Sequence, residues 1–595
     1  MLEQNRNWLK QSNKKLLDNY KEQETKPPSC EHGGLRVLRI SHEGKKDHLP
    51  PSYISPVYYQ RQNEVIKSVK DKEATGEKRF CIVAGTDGGH LLNHVLKNNA
   101  IKHMVVIEPD MDSFYNSLRV VNWPAIFTDF HERGGTVFFH IGQVTPEIKN
   151  KITTHILDIG PYNAANLYMH HDDTNGGRIA LVAVVQCLQG SINTLGFYDD
   201  ERVGFTHSIE KLKDSARILM HQSRPWIDKP VMVCGNGSSL TGLLPQIRKC
   251  RNRMFLVACG TTIGTFYREG IVPDFYIEQE RPLCTSNWTK LTTTQEFRDK
   301  TTCIGLNVVH PQTNGMFKDV AYVLKSNDLG GIVLKEYLQT PPQLLFVNPL
   351  VANAGTSIMT ALGFRHIYLA GIDCAFAPDG GSHAKGHKPP KDNRDHITIP
   401  GNFRKEVTTT QLYLDSARTI EGLIRSNPDT KYYNLCDGAY IKGAKPTKKF
   451  LPISAKPITK EQIMANFKPA EVKPDTDDIK KTFTMSMYGL KLVIDSIPEK
   501  ISGKDEAFSF IDAIRDKLAQ TKQKSPMFWY LIKGSLTTQL CFLATCADCD
   551  MDAFDKSSAI LKEFASKVHD QIKGGFYEFD DYGDNGFMPE DVNAS

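Results

Sequence analysis

The amino-acid sequence predicts an α/β protein made of two successive α/β domains followed by a helical domain. Two observations predict this organisation. In two separate stretches, short β-branched apolar runs alternate with glycine turns and helical apolar patterns, which is typical of parallel sheets covered by helices. After residue 480, apolar residues recur at helical spacing instead, as in the stripe of Phe510, Ile511, Ile514 and Leu518.

Composition restricts the class of protein. The chain has 595 residues and a net charge of +5, which gives no basis for a nucleic-acid partner. Its longest apolar run, residues 179–185, is far shorter than the roughly 20 residues of a membrane span. The polar N-terminus has no signal core. We therefore expect a soluble, cytoplasmic protein with no membrane partner.

The cysteines predict neither disulfides nor a metal site. Their number, 13, is odd, and they are scattered along the chain, so reduced thiols are expected. The single CxxC, Cys546 and Cys549, has no second CxxC and no spaced histidine pair. No metal is expected there.

The first α/β domain is predicted over residues 61–222, after a leading helix and connection in residues 1–60. The apolar run 80–84 precedes a glycine turn at 85–89, and Glu108 ends the next run. This turn and acid resemble the nucleotide site of Rossmann-type or methyltransferase folds, but the glycine spacing differs from G-x-G-x-x-G. A structural Rossmann-like domain is favoured over a cofactor site.

The second, doubly wound domain is predicted over residues 223–445. A linker follows at 446–480, then a helical domain at 481–577 and a disordered acidic tail at 578–595. The predicted strands of the doubly wound domain are 231–234, 255–258, 275–277, 303–306, 344–347 and 367–370.

Three segments carry candidate chemistry, because ligands of open α/β sheets bind beyond the carboxyl ends of the strands. The turn 235–240 lets a ligand approach its glycines, and its serines suit the next helix N-terminus and an anion; a plain tight turn fits equally well. Asp373 followed by His383 suits a general base, although His383 and His387 as metal ligands, or a solvated histidine, remain alternatives. The segment 353–357 suits a phosphate or sugar hydroxyl, or a simple helix cap.

These segments belong to an ordered series that resembles the motility accessory factors, the flagellin glycosyltransferases with a sialyltransferase-like central domain. The series covers about 210 residues, and each segment is weak alone while their order is specific. It comprises Gly235 to Leu240, Gly270 to Phe275, Glu278 to Arg281, Asn353 to Ser357, Ala361 to Gly363, Ile367 to Asp373, Ser382 to Ala384, and Asn434 to Gly443.

The resemblance implies transfer of a CMP-activated nonulosonic acid, of the pseudaminic or legionaminic type, to Ser or Thr of flagellin. Such enzymes need no metal or further cofactor and use a histidine base, here His383. Asp373, at the end of the preceding strand, is the other candidate catalytic residue. Glu278 stands where the similar sialyltransferases present an asparagine to the sugar, and this mismatch leaves its role open. Carried over position by position, the donor-binding residues would be Gly235, Asn236, Gly237, Ser239, Thr261, Thr262, Glu278, Asn353, Gly355 and Thr356.

One departure from the family concerns the leaving phosphate. The similar sialyltransferases place tyrosines on it in the loop before the histidine, but residues 374–382 contain none. Tyr413 is a candidate substitute and is equally compatible with a buried aromatic. Two other functions stay open: a pterin diphosphokinase, since an archaeal group of these enzymes shares a similar central domain, and a non-catalytic flagellin-binding factor.

Overall fold

The computed structural model describes residues 1–12, 35–36, 53–69, 78–98, 101–193, 195–220, 226–339, 341–385 and 396–575. The chain divides into two compact units: residues 1–46, 53–198 and 480–574 form the first, and residues 47–52, 199–479 and 575–595 the second. The predicted fold class, α/β with a helical C-terminal region, is confirmed. The predicted acidic tail and His387 lie outside the described residues. Every helix in the described ranges is too short or too polar to traverse a bilayer.

The first unit contains a five-stranded sheet. Its strands are β1 (Leu35–Arg36), β2 (Lys78–Ala84), β3 (Ile101–Glu108), β4 (Thr136–Ile141) and β5 (Leu167–His171). They lie in the order β1-β5-β2-β3-β4, parallel except for β1. Side chains of β2 enter the core on both faces, which explains its unbroken apolar run. The helices of this region are Leu2–Ser12, Ser55–Ser68, His90–Asn98, Met111–Val120, Trp123–Glu132, Pro146–Ile159 and Asn175–Asn193.

The C-terminal helices belong largely to this first unit. The carboxylate of Asp512 accepts hydrogen bonds from Arg79 (2.9 Å), Lys102 (2.6 Å) and the Tyr162 hydroxyl (2.7 Å). Burial acts to raise the pKa of Asp512, but these three donors outweigh it and hold the pKa at about 2. Asp512 therefore ties the helical region to the sheet of the same unit. The helices are Thr476–Asp495, Lys504–Lys524, Pro526–Cys549 and Met551–Gly574.

The second unit contains a larger sheet and a separate short pair of strands. The strands of this unit are β6 (Arg217–Leu219), β7 (Val231–Cys234), β8 (Phe255–Cys259), β9 (Phe275–Glu278), β10 (Thr302–Leu306), β11 (Asp319–Lys325), β12 (Gln343–Leu344), β13 (His366–Ala370), β14 (Ile397–Pro400), β15 (Glu406–Thr409), β16 (Lys431–Asn434), β17 (Lys445–Pro446) and β18 (Phe467–Pro469). The large sheet has the order β17-β16-β13-β7-β8-β9-β10-β11-β6-β18, with β12 paired to β11. Its neighbouring strands are parallel except for β18 against β6. β18 lies inside the stretch predicted as a linker.

The connections between these strands are mostly helical. The antiparallel pair of β14 and β15 lies apart from the main sheet. The helices are Tyr198–Lys213, Leu240–Cys250, Thr262–Arg268, Leu283–Thr292, Gln295–Asp299, Leu329–Leu338, Val351–Ala361, Gln411–Ser426 and Lys460–Met464.

The strand order places a binding crevice beside β7. From β7 the chain moves through β8, β9, β10 and β11 on one side, while β13, β16 and β17 lie on the other. The direction of winding reverses between β7 and β13, and such a switch point opens a crevice at the carboxyl ends of the strands. The turns after β7, β8, β9 and β13 all leave the sheet at that edge.

Candidate active site

Three glycines let the turns after β7 and β13 cross in contact. A Cβ on Gly235 would lie 2.6 Å from the Gly371 carbonyl oxygen, and one on Gly237 would lie 2.6 Å from Asp373 Oδ2. Gly371 itself has φ of 60°, and a Cβ there would collide with Gly235. The crossing is closed by the amide of Gly237, which donates to the Gly371 carbonyl at 2.8 Å. Any side chain at these positions would force the two turns apart.

The carboxylate of Asp373 holds the first turn in shape. It accepts hydrogen bonds from the Ser239 amide (2.9 Å), the Ser238 hydroxyl (3.0 Å) and the Ser239 hydroxyl. The side chain is almost fully buried, and burial raises the pKa of this carboxyl above its usual value. Asp373 and Ser239 thus bind one another, and Asp373 acts on the site by shaping the turn.

Asn236 joins the turn after β7 to the turn after β8 and to the histidine loop. Its side-chain amide donates to Thr261 Oγ1 at 3.1 Å, and its side-chain oxygen accepts from Thr265 Oγ1 at 2.9 Å. Its main-chain carbonyl accepts from the amide of Ala384 at 2.9 Å. Since Ala384 follows His383, the turn after β7 fixes the position of the histidine loop.

These turns line a cavity of about 520 Å³. Its wall includes predicted residues from every turn named above, so segments more than 140 positions apart in sequence meet at one place. The predicted residues in the wall are Gly235, Asn236, Gly237, Thr261, Glu278, Asp373 and His383.

Five predicted donor-binding residues lie outside this wall, in positions that explain their sequence signal structurally. Asn353 is fully buried and donates to the Ser416 carbonyl at 2.9 Å, while its oxygen accepts from the Leu350 amide at 3.1 Å. A Cβ on Gly355 would lie 2.5 Å from Cys259 Sγ, so this glycine permits close helix–sheet packing. Thr262 and Thr356 are fully buried and donate to the carbonyls of Cys234 and Ala352, and Ser239 binds Asp373.

Glu278 lies at the end of β9, and its carboxylate accepts three hydrogen bonds from neighbouring residues of the chain. Oε2 accepts from the Tyr276 hydroxyl at 2.5 Å, and Oε1 accepts from the amides of Gln279 and Glu280. Burial raises the pKa of Glu278. The residue borders the cavity and at the same time fixes the loop that carries Glu280, a second carboxylate of the wall.

His383 and Tyr413 both border the cavity. The Ser382 hydroxyl lies 2.9 Å from His383 Nδ1 and orients the ring. Tyr413 lies in the first turn of the helix Gln411–Ser426, whose N-cap is Thr410, and packs edge-on against Phe376 at 5.8 Å. The tyrosine singled out in the sequence is therefore on the same cavity as the histidine.

Part of the wall was not predicted. It comes from the first turn of the helix Val351–Ala361 and from one face of the helix Leu283–Thr292. The spacing of the second set, at positions 284, 285, 288 and 289, marks one helical face, but nothing in the sequence indicates that this face borders a ligand. These unpredicted residues are Leu350, Val351, Ala352, Cys284, Thr285, Trp288 and Thr289.

The space beside the glycine turn of the first unit, residues 85–89, is filled by side chains of the same unit. Glu108 accepts from the Thr86 amide (2.7 Å) and hydroxyl (2.5 Å) and from the Ser113 hydroxyl (2.9 Å). The Asp172 carboxylate lies over Gly85, where a Cβ would collide with it. Glu108, which in sequence resembles the acid of a nucleotide site, is fully buried and accepts hydrogen bonds from the turn, in keeping with the structural domain that the sequence favours.

Within the described residues, no group of three or more His, Cys, Asp or Glu side chains is arranged to hold a metal ion. Of the described residues that line the cavity, none is Lys or Arg. Negative charge on a ligand would therefore be met by backbone amides, hydroxyls and the imidazole.

Comparison with known proteins adds to this geometry. Residues 2–175 match the family model of the glycosyltransferase Maf N-terminal domain, and residues 204–379 match the 6-hydroxymethylpterin diphosphokinase MptE-like model. The N-terminal match and the motif series thus both indicate similarity to the Maf glycosyltransferases. The fold is similar to the solved structure of a MAf glycosyltransferase from Magnetospirillum magneticum AMB-1, at 20% identity and a TM-score of 0.68, over 94% of this chain and 86% of that one. No curated protein matches the chain.

The MptE-like match covers the turns after β7, β8 and β9 and the Asp373 segment, and ends before His383. The histidine loop of this chain is thus contributed by sequence beyond the MptE-like region. The resemblance to Maf proteins inferred from the motif series is confirmed.

Proposed function

We propose that this chain is a protein O-glycosyltransferase that moves a nonulosonic acid from its CMP-activated form to Ser or Thr hydroxyls of flagellin in the cytoplasm. The observation that carries the proposal is the convergence of the turn after β7, the turn after β8 and the His383 loop on one cavity of about 520 Å³. That volume suits a nucleotide sugar.

The proposed chemistry is a single displacement with inversion at the sugar C2. The acceptor hydroxyl oxygen forms a bond to C2 as the bond from C2 to the phosphate oxygen breaks, and the electron pair leaves with CMP. His383 takes the hydroxyl proton, a step that contributes about 10²- to 10⁴-fold. Because Ser382 fixes the ring, the imidazole needs little reorganisation.

The leaving phosphate gains negative charge in this step. The first turn of the helix Val351–Ala361 borders the cavity, and its N–H groups favour an anion there. The Tyr413 hydroxyl is the proposed donor to the phosphate oxygens, and Asn236 and Thr261 are proposed to contact the nucleotide. The proposed reaction proceeds without a metal ion.

The test is His383→Ala with CMP-activated pseudaminic and legionaminic acids as donors and flagellin as acceptor. We expect turnover to fall about 10²- to 10⁴-fold, while CMP affinity, measured by calorimetry, and flagellin binding are retained. His396→Ala is the matched control, because His396 belongs to the same unit and is not part of the cavity wall. Full transfer by His383→Ala would remove the histidine from the mechanism, and an absence of transfer by the natural chain with both donors would leave a flagellin-binding factor.

A second candidate function follows from the MptE-like match over residues 204–379. That description names a 6-hydroxymethylpterin diphosphokinase, a transferase that uses ATP with Mg²⁺. Incubation with ATP, Mg²⁺ and 6-hydroxymethylpterin distinguishes the two, since the proposed glycosyltransferase forms no pterin diphosphate. Formation of that product, with dependence on Mg²⁺, would replace the first proposal.

A further inference from the structure

The cavity has a second wall that the mechanism above does not use. It is formed by the end of β9 and by one face of the helix Leu283–Thr292, opposite in character to the glycine turns. The wall combines carboxylates, hydroxyls, a thiol and an indole, and no glycine contributes to it. Its residues are Tyr276, Glu278, Glu280, Cys284, Thr285, Trp288 and Thr289.

This wall is held rigidly from behind. The Tyr276 hydroxyl lies 3.1 Å from Thr289 Oγ1, and Ser286 Oγ lies 3.0 Å from Thr313 Oγ1, both in buried surroundings. The Trp288 ring packs against the helix Thr262–Arg268, where a Cβ on Gly264 would lie 2.9 Å from Trp288 Cη2. A wall fixed in this way presents a defined surface to a ligand.

The charges on this wall decide which part of a donor faces it. The carboxylate of Glu280 accepts hydrogen bonds and repels both the phosphate and the carboxylate of a CMP-activated sugar acid. Those two anionic groups therefore face the glycine turns and the helix that begins at Val351. The remaining part of the sugar, with its neutral substituents, faces Glu280 and the helix.

The wall residues around Trp288 favour one kind of substituent. Trp288 and Cys284 offer apolar surface, while Glu280 and Thr285 accept hydrogen bonds beside it. An acylamido group matches this pattern, since its N–H donates and its methyl group is apolar. A plain hydroxyl would use the acceptors and leave the indole and thiol surface uncovered.

We infer that Cys284, Thr285 and Trp288 are specificity-determining residues that hold an acylamido substituent of the donor sugar. The inference rests on the proposed function, because it assigns a role within the same cavity. It predicts that changes at these residues affect the sugar and spare the nucleotide.

The first test compares donors in the Trp288→Ala and Trp288→Phe variants. We expect Trp288→Ala to raise the KM of a CMP-activated nonulosonic acid about tenfold, with Trp288→Phe intermediate, because apolar contact with the methyl group is lost. CMP affinity should change less than about twofold, because in this inference the nucleotide does not contact Trp288. Leu291→Ala is the matched control, since Leu291 is on the same helix but is 51% exposed and outside the wall.

A second donor sharpens the test. The CMP ester of a nine-carbon 2-keto sugar acid that carries only hydroxyl groups lacks the acylamido group. The natural chain should accept it with KM at least about tenfold higher, and Trp288→Ala should remove most of that preference. An unchanged preference in Trp288→Ala, with its melting curve matching that of the natural chain, would overturn the inference.

Alkylation of Cys284 gives an independent readout. N-ethylmaleimide modification, located by peptide mass analysis, should be slowed by the acylamido donor and unaffected by CMP alone. Cys284→Ser serves as the control for labelling at other thiols. Equal protection by CMP and by the donor would place the nucleotide on this wall and overturn the inference, whereas a lack of CMP binding by the natural chain would instead refute the proposed function.

Discussion

The two glycine turns of this protein start from the same sequence pattern and reach opposite outcomes. Each follows a parallel strand and opens a helix, and in each a buried carboxylate from the neighbouring strand's end accepts hydrogen bonds from the turn: Glu108 from Thr86, and Asp373 from Ser239. In the first unit the space over the turn is occupied by Asp172. In the second unit the turn borders a cavity of about 520 Å³.

The comparison teaches that a glycine turn does not by itself make a ligand site. In both turns a buried carboxylate accepts hydrogen bonds from the turn and holds its backbone in shape; we call Glu108 and Asp373 the supporting carboxylates. The difference comes from a third strand: β5 sends Asp172 over the first turn, whereas the turns after β8 and β9 leave the space beside the second turn open. A carboxylate near a glycine turn is therefore evidence that it stabilises the turn, and is not by itself evidence of catalysis.

The largest expected effect comes from placing a side chain on a glycine of each turn and comparing CMP binding with stability. Gly237→Ala should weaken CMP binding at least about tenfold, because its Cβ would press on Asp373 and the Gly371 carbonyl and shift the cavity floor. Gly85→Ala should lower stability by about 1–3 kcal/mol, because its positive φ and the Asp172 carboxylate both oppose a side chain, and CMP affinity should stay unchanged.

Gly242→Ala is the control for both substitutions, since the residue is in a helix and a Cβ added there would meet no neighbouring side chain within 4 Å. Calorimetric CMP titration and thermal unfolding give the two readouts. CMP affinity lost in Gly85→Ala would show that the first turn binds nucleotide and would break the comparison.

An intermediate effect is expected from replacing the two supporting carboxylates, Asp373 and Glu108, by amides. Asp373→Asn should cost about 1–3 kcal/mol of stability and weaken CMP binding, because one acceptor of Ser238 and Ser239 becomes a donor. Glu108→Gln should cost a similar amount of stability with CMP affinity preserved. Denaturant unfolding measured beside CMP titration tests both, and equal CMP affinity in all three proteins would show that Asp373 does not shape the binding turn.

The smallest expected effect concerns pH. Burial raises the pKa of Glu108 above its usual value of 4.5, so the folded state retains a proton that the unfolded state has released. The contribution of Glu108 to stability is therefore greatest below pH 4.5 and declines as pH rises through the raised pKa. Relative to the natural chain, Glu108→Gln should lose less stability over that rise. Unfolding free energies at a series of pH values check the sign, and a parallel profile would contradict it.

The fold was largely predictable from local patterns. The runs at β2, β7 and β8 are unbroken and apolar because both faces of a parallel strand are covered, and this leaves a direct signature in sequence. β18 was missed, because Phe467–Pro469 is short, contains proline and pairs at the sheet edge, where a strand needs little apolar character.

The candidate site was predictable in part. Gly235, Gly237 and His383 border the cavity as the motif order predicts, while Asn353 and Thr356 do not. An asparagine at a helix start looks the same whether it contacts a ligand or, as here, caps Leu350 and holds Ser416. The direction of the side chain depends on the packing of the helix Gln411–Ser426, which local sequence does not encode.

The sequence by itself determined the alternation of strands and helices, the glycine positions at the crossing turns and the resemblance to the Maf proteins, because hydrophobic periodicity and backbone freedom are local properties. Only the tertiary structure decided which turn borders a cavity, that Asp373 and Glu108 hydrogen-bond to the turns, and that the helix Leu283–Thr292 forms a second cavity wall. These features depend on which side chains from distant strands fill a given space. Which side chains do so is decided only when the strands and helices pack together.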